Sequence, residues 1–300
     1  MKIGRNWMVC AAVAAFLLGG CVGQEDAADN GTNNAADQQD EQIEEQEDSG
    51  SSEGNSTESA DVADEADKEE SGEKQEPASA VPAEPAEPLY ELNEVTWSFE
   101  PIGNADPKAA LLTIDDAPDK HALEMAKTLK ELDAPAIFFV NGHFIDTDEE
   151  KAVLKEIHEM GFPIGNHTMS HPNLKQIPQE AQREEILGVN EIVAQVTGEK
   201  PKFFRAPFGV NTDFTRQLAA EEGMLLMNWT YGYDWEPEYQ NGEALADIMV
   251  NTEFLNNGAN LLMHDREWTA AALPKIVQGL RDKGYTLIDP ATIKMPETAQ

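Results

Sequence analysis

Short apolar runs alternate with longer amphipathic segments from residue 109 onward. The runs, each bounded by turn residues or charges, are ALLTI (110–114), AIFFV (136–140), FPIGN (162–166), KFFR (202–205), LLMN (225–228), NLLMH (260–264) and YTLI (285–288). Four segments between them space their apolar residues three and four positions apart, as helices that bury one face do: KHALEMAKTLKEL, EEKAVLKEIHEM, QEAQREEILGVNEIVAQV and AALPKIVQGLRDK. Strands that alternate with helices are parallel and buried on both faces, so the pattern predicts an α/β fold, either a barrel or a doubly wound sheet.

Polar residues stand at the carboxyl ends of several predicted strands. They are Asp115 and Asp116 after the first run, His167 and His171 after the third, Arg205 at the end of the fourth, Asp234 after the fifth and His264 at the end of the sixth. In a parallel barrel all carboxyl ends meet on one rim, where such enzymes keep their active sites. This placement favours a barrel of about seven parallel strands over the doubly wound sheet.

Charge is distributed unevenly along the 300 residues, whose formal net charge is −36. Residues 22–96 hold 24 acidic and 2 basic residues, and this range includes the proline-rich stretch PASAVPAEPAEP. Such a segment cannot offset its ordering entropy by burial, so we predict a disordered acidic linker there. Residues 97–293 form one predicted domain of about 200 residues. The acidity argues against nucleic acid and anionic lipid headgroups as partners, and the sequence favours a monomer.

The first 21 residues have the organisation of a secretory signal. Lys2 and Arg5 precede an uncharged stretch, residues 6–20, that is short for a membrane span. The sequence LLGGC that ends this region resembles the lipobox of bacterial lipoproteins, which predicts lipidation of Cys21 and anchoring at the extracellular face of the cell membrane. Secretion after ordinary cleavage is the alternative. Cys10 would be lost with the signal, which leaves no thiol for a disulfide or a cysteine metal site.

Two motifs carry candidate metal chemistry. In HTMSH, residues 167–171, two imidazoles stand four positions apart, and a helix or a tight turn can direct both to one ion. The alternative is a pair of surface or capping histidines. In TIDDAPD, residues 113–119, two adjacent carboxylates follow an apolar strand, which suits one metal ligand beside one proton acceptor. The alternative is an Asx turn or a cap on the following helix, for which Asp116 and above all Asp119 are candidates.

Five motifs together resemble one known family. TIDDAPD, HTMSH, FRAPFG, YDW and LLMHD occur in the order and at spacings typical of the polysaccharide deacetylases of carbohydrate esterase family 4, also called the NodB homology domain. The resemblance covers about residues 105–290, which is essentially the whole predicted domain. It implies a distorted (β/α) barrel and metal-dependent hydrolysis of an N- or O-acetyl group on a sugar.

The resemblance also implies roles for individual residues. It assigns Asp115 as catalytic base, Asp116, His167 and His171 as metal ligands, Arg205 as the partner of the base, His264 as general acid and Asp234 as the carboxylate that tunes this acid. The aromatic residues Phe208, Tyr231 and Trp235 are candidates for stacking on sugar rings, and packing at the barrel rim is the alternative. Two imidazoles and a carboxylate suit Zn²⁺ first, and Co²⁺, Ni²⁺ or Fe²⁺ also satisfy them. His143 receives no role and is interpreted as an ordinary loop histidine.

Two departures from the family pattern concern loops that line the groove. Ala117 stands where the family has glycine, and Tyr231 replaces the first aspartate of the Asp, any two, Asp, Trp motif. The expected substrate is N-acetylglucosamine in cell-wall peptidoglycan, with chitin oligomers, an exopolysaccharide or O-acetylated xylan as alternatives. The rival hypotheses from other classes are a glycan-binding lipoprotein without turnover and a solute-binding lipoprotein.

Overall fold

A computed structural model of the chain describes residues 87–297. The strands in this range are β1 Tyr90–Leu92, β2 Phe99–Pro101, β3 Ala109–Ala117, β4 Ala136–Val140, β5 Ile164–Asn166, β6 Phe203–Phe204, β7 Leu225–Leu226, β8 Ala259–His264 and β9 Thr286–Leu287. The α-helices are α1 Ala122–Glu131, α2 Asp148–Glu159, α3 Gln179–Thr197, α4 Asp213–Glu221, α5 Gly242–Asn251 and α6 Glu267–Asp282. The predictions for the signal, for Cys21 and for most of the linker fall outside the described residues.

Strands β3 to β9 correspond to the seven predicted strands and form one parallel sheet. Their order is β7-β6-β5-β4-β3-β8, and β9 also pairs with β3. The segment after β7 reaches β8 through a parallel bridge between Tyr231 and Leu261, so the sheet curls toward closure. The predicted distorted (β/α) barrel is therefore confirmed.

The central strands are buried on both faces, as the apolar runs predict. Along β3 and β4, Leu112 and Phe138 pack into the core that the helices cover. Leu111 and Phe139 point the other way, into a second cluster that also contains residues of β1 and β2. Successive side chains of a strand alternate between faces, so an uninterrupted apolar run supplies both layers.

An antiparallel hairpin of β1 and β2 corrects the predicted linker boundary. Tyr90 pairs with Pro101 and Leu92 with Phe99. Tyr90, Leu92 and Phe99 are buried in the second cluster described above, and the Tyr90 hydroxyl donates a hydrogen bond to the Asp106 carbonyl. Residues 90–96 therefore belong to the folded part. Three-residue strands between proline and acidic residues lack the length that reveals a strand in a sequence.

Helices α4 and α5 are additions to the four predicted helices. Each is short, and each begins with a side-chain cap: the Thr212 hydroxyl accepts a hydrogen bond from the Thr215 amide, and the Asn241 side chain accepts one from the Ala244 amide. Such caps satisfy amides that have no partner inside the helix. Within residues 87–297, none of the helices is both long and apolar enough to cross a bilayer.

Candidate active site at the carboxyl ends of the strands

A cavity of about 460 Å³ opens at the carboxyl end of the sheet. Eight of the ten predicted catalytic, metal and substrate residues line it: Asp115, Asp116, His167, His171, Phe208, Asp234, Trp235 and His264. Arg205 lies beneath the cavity and contacts two of them, Asp115 and His167, whereas Tyr231 lies elsewhere in the core. The strand ends thus bring together residues as far apart in the sequence as Asp115 and His264, which are 149 positions apart.

The loops at this rim contain several residues with left-handed backbone conformations. Asp116 has φ 57°, Thr168 φ 71°, His171 φ 57° and Phe208 φ 59°. Such conformations cost about 1–3 kcal/mol each for residues other than glycine and cluster where function requires a fixed geometry. HTMSH is therefore a tight turn, and its two imidazoles converge without a shared helix face.

Asp116, His167 and His171 form a candidate metal centre. One potential ligand atom from each residue lies within 4.8 Å of the others. Asp116 Oδ1 is 3.9 Å from His167 Nε2 and 3.6 Å from His171 Nε2. Zinc bonds of about 2.1 Å separate tetrahedral ligand atoms by about 3.4 Å, so this donor set fits a divalent ion.

The two imidazoles are prepared for ligation. Burial, together with the neighbouring His171, lowers the pKa of His167 to about 3, and burial also lowers the pKa of His171. Both rings are therefore neutral at neutral pH, which is the form that binds metal. His167 Nδ1–H donates to the Arg205 carbonyl at 2.8 Å, which fixes the tautomer and leaves Nε2 for the ion.

Asp115 is buried and paired with Arg205. Arg205 Nη1 donates to Asp115 Oδ1 at 2.7 Å, and its guanidinium lies over the Phe139 ring. Asp115 Oδ2 is 3.6 Å from His167 Nε2, so the second oxygen faces the candidate metal centre. Burial raises the pKa of Asp115, and the Arg205 charge opposes that rise.

His264, which is partly buried, and the buried Asp234 form a second pair on the other side of the cavity. His264 Nδ1–H donates to Asp234 Oδ1 at 2.7 Å, while Asp234 Oδ2 accepts from the His264 amide and the Thr269 hydroxyl. Burial acts to lower the pKa of His264, but the hydrogen bond and charge of Asp234 outweigh it, so the pKa is raised. The imidazole can therefore carry a proton near neutral pH and present it through Nε2.

Asp265, which sequence reasoning missed, caps helix α1. Its carboxylate accepts backbone hydrogen bonds from Asp119, Lys120, His121 and Ala122 at 2.6–3.1 Å. The prediction that Asp119 or Asp116 caps this helix is wrong, because Asp265, in the loop between β8 and α6, accepts the hydrogen bonds of these amides. Asp265 therefore ties the loop of the two aspartates to the strand that carries His264.

We predict that Asp265→Asn destabilises the fold by about 1–3 kcal/mol, because an amide NH₂ would face several backbone donors that now share a carboxylate. Thermal or urea unfolding measures the loss. Asp247→Asn changes an exposed carboxylate in the same way and is the matched control. Equal unfolding midpoints for the two variants would contradict the capping role.

Two of the three residues predicted to contact sugar rings line the cavity, and the third does not. Phe208 is 62% exposed and lies edge-on to His171, and Trp235 is 43% exposed beside His264. Tyr231 is 5% exposed, and its hydroxyl donates to the Met249 carbonyl. The prediction that Tyr231 contacts substrate is corrected, since its pairing with β8 directs the ring beneath the cavity. Trp229 and Trp268 line the cavity as well.

Comparisons with known proteins address the family and the fold. A family model described as polysaccharide deacetylase matches residues 102–256. A peptidoglycan-N-acetylglucosamine deacetylase of Bacillus cereus is 30% identical over 186 residues, which are 59% of this chain and 65% of the relative. The chain thus spans just under two thirds of that relative's length.

Two solved structures extend the likeness to the fold. The peptidoglycan deacetylase PdaC of Bacillus subtilis is 27% identical with a TM-score of 0.54, over 62% of this chain and 90% of PdaC. A family 4 pseudoenzyme from Bacillus anthracis is 26% identical with a TM-score of 0.56, over 62% of this chain and 66% of the pseudoenzyme. The family resemblance predicted from the motifs is confirmed.

Proposed function

The chain belongs to the polysaccharide deacetylase family, and from that premise we propose that it removes acetyl groups from N-acetylglucosamine-containing polysaccharide with the help of a divalent ion. The observation that carries the proposal is the juxtaposition of a buried carboxylate and a partly buried imidazole beside the candidate metal centre. Asp115 and His264 are register partners on the neighbouring strands β3 and β8. A proton acceptor and a proton donor therefore face the same space.

Asp116, His167 and His171 would hold the ion, and Zn²⁺ suits their donor atoms best. When bound, the ion supplies Lewis acidity, which polarises the acetyl carbonyl and makes water a better nucleophile. Asp115 Oδ2 points toward this centre and accepts the proton of the attacking water. Arg205 holds the other carboxylate oxygen, so the base keeps one orientation.

His264 completes the reaction by giving a proton to the departing sugar nitrogen. An amine anion is a poor leaving group, so cleavage of the carbon–nitrogen bond needs this proton. Asp234 fixes Nδ1–H and favours the charged ring, which leaves Nε2–H free for transfer. The acid on one strand and the base on its neighbour thus act on the same acetyl group.

We predict that Asp234→Asn moves the alkaline limb of the kcat/KM profile to lower pH. The acid must be protonated, so activity is lost as pH rises through the pKa of His264, which Asp234 keeps raised. Without the carboxylate charge the pKa of His264 is lower, so the alkaline limb lies at lower pH. Rates measured across pH with the parent and the variant test this, and an alkaline limb that stays in place would contradict the role.

The proposed substrate is cell-wall peptidoglycan. Exposed Phe208 and Trp235 flank the cavity and offer faces for sugar rings. The Bacillus cereus relative is named for peptidoglycan N-acetylglucosamine. We further propose that the protein is held at the outer face of the cell membrane through Cys21, with the acidic linker as spacer, as the sequence of residues 1–96 suggests.

The direct test uses the chain without its first 21 residues, stripped of metal and then supplied with Zn²⁺. Muropeptides, chitooligosaccharides and O-acetylated xylan are incubated with it, and mass spectrometry records the loss of acetyl groups. We expect zinc-dependent loss from muropeptides first. Loss from xylan alone would overturn the peptidoglycan assignment, and no loss from any glycan would overturn the activity.

A second candidate function is glycan binding without turnover. The likeness to a family 4 pseudoenzyme supports this candidate. The two proposals differ in one result: a binding protein has affinity for muropeptides, but the parent forms no product from them. The complete set of base, acid and metal ligands around one cavity favours the enzyme.

A further inference from the structure

Arg266 contacts the candidate metal centre and has received no role so far. It follows Asp265 directly before helix α6, at the cavity wall. Its Nη2 donates to Asp116 Oδ2 at 2.9 Å, and its Nη1 donates to the Asp265 carbonyl at 2.9 Å. Among the described residues that line the cavity, Arg266 is the only lysine or arginine.

The two oxygens of Asp116 have different surroundings. Oδ1 faces the imidazoles of His167 and His171, whereas Oδ2 is occupied by the Arg266 guanidinium. The side chain of Asp116 is 17% exposed, and its backbone is in the left-handed region. A second carboxylate, Asp119, lies 4.0 Å from Arg266 and helps to hold the guanidinium in place. Rotation of Asp116 toward two-oxygen ligation would break the charged hydrogen bond.

We propose that Arg266 is a positioning residue that limits Asp116 to one donor oxygen and thereby favours Zn²⁺ over oxygen-preferring ions such as Mn²⁺. The inference rests on the proposed function, because it concerns the same metal centre. Zn²⁺ accepts few ligands and binds imidazole well, whereas Mn²⁺ favours carboxylate and water oxygens in a larger shell. Withholding one oxygen therefore weakens the binding of Mn²⁺ more than the binding of Zn²⁺.

A ratio of two affinities separates this role from simple charge repulsion. The guanidinium repels both ions alike because both carry two positive charges, so that effect cancels when the two dissociation constants are divided. A general loss of structure would also weaken the binding of both ions together. Only a change in how Asp116 is presented alters the preference between them.

The test measures the Kd of Zn²⁺ and of Mn²⁺ by chelator competition in the metal-stripped chain without its first 21 residues. For Arg266→Gln we expect the ratio of the Mn²⁺ Kd to the Zn²⁺ Kd to fall by about tenfold, the size typical of losing an outer partner of a ligand. Arg266→Lys retains one charged donor, so its ratio should lie between those of the parent and Arg266→Gln. Arg281→Gln, which removes an exposed guanidinium that contacts the Asp133 carbonyl, is the matched control.

Each outcome bears on the inference. If Arg266→Gln is folded by circular dichroism and keeps the parental ratio, the inference is overturned while the deacetylase stands. If Arg266→Gln fails to fold, the lysine variant decides, and a parental ratio there overturns the inference as well. A parent that deacetylates glycans but binds no ion overturns both the metal centre and the role of Arg266.

Discussion

Asp115→Asn is expected to lower kcat by about 10²- to 10⁴-fold, the contribution typical of a positioned general base. Asparagine keeps the shape of the side chain but cannot accept a proton from water. The candidate metal ligands Asp116, His167 and His171 are unchanged, so the ion should still bind. Single-turnover deacetylation and zinc binding, measured on the same samples, separate the two effects.

The environment of Asp115 sets the control for this prediction. The residue is 2% exposed and neutralises the fully buried Arg205, and breaking a buried ion pair costs about 3–5 kcal/mol. Unfolding curves must therefore show that the variant is folded at the assay temperature. A folded, zinc-loaded Asp115→Asn protein with parental kcat would contradict the assignment of the base.

His167→Ala is expected to abolish stoichiometric ion binding and, with it, deacetylation. His167 is one of three candidate ligands. Loss of an outer partner of a ligand lowers metal affinity by about 10- to 100-fold, and loss of the ligand itself should lower it further. Asp116→Ala removes a different ligand and should give the same phenotype. Bound metal after dialysis, followed by acetate release, measures both effects.

His143→Ala is the matched control for the loss of an imidazole. His143 is exposed, and its Nδ1 bonds to the Met169 carbonyl in the turn between the two candidate histidine ligands. We expect the variant to keep its ion and most of its activity. Full occupancy in His167→Ala, or loss of the ion in His143→Ala, would show that the ligands are wrongly assigned.

Most of the barrel could be predicted because its strands are uninterrupted apolar runs. β3 and β4 lie at the centre of the sheet, and burial on both faces demands such runs. Because the carboxyl ends of parallel barrel strands meet on one rim, the positions of the runs also predicted that Asp115 and His264 lie together. The hairpin of β1 and β2 is too short for periodicity to reveal. Helices α4 and α5 were missed although Thr212 and Asn241 carried capping signals.

What the sequence could not reveal are partners that are distant along the chain. The contact of Arg266 with Asp116 joins residues 150 positions apart, and the cap from Asp265 reaches across nearly the same distance. No local pattern encodes which carboxylate meets which amide across two loops. Tyr231 failed for a related reason: an aromatic residue in a rim motif looks the same whether its ring faces the groove or the core.

Acetate release from muropeptides during titration of the metal-stripped protein with Zn²⁺ tests the central claim most directly. We predict that the rate rises until one ion is bound per chain and that Asp115→Asn binds the same single ion with a rate about 10²- to 10⁴-fold lower. This result would join the metal centre and the base in one reaction. Acetate release that is independent of added ion, or equal in the parent and Asp115→Asn, would contradict the account.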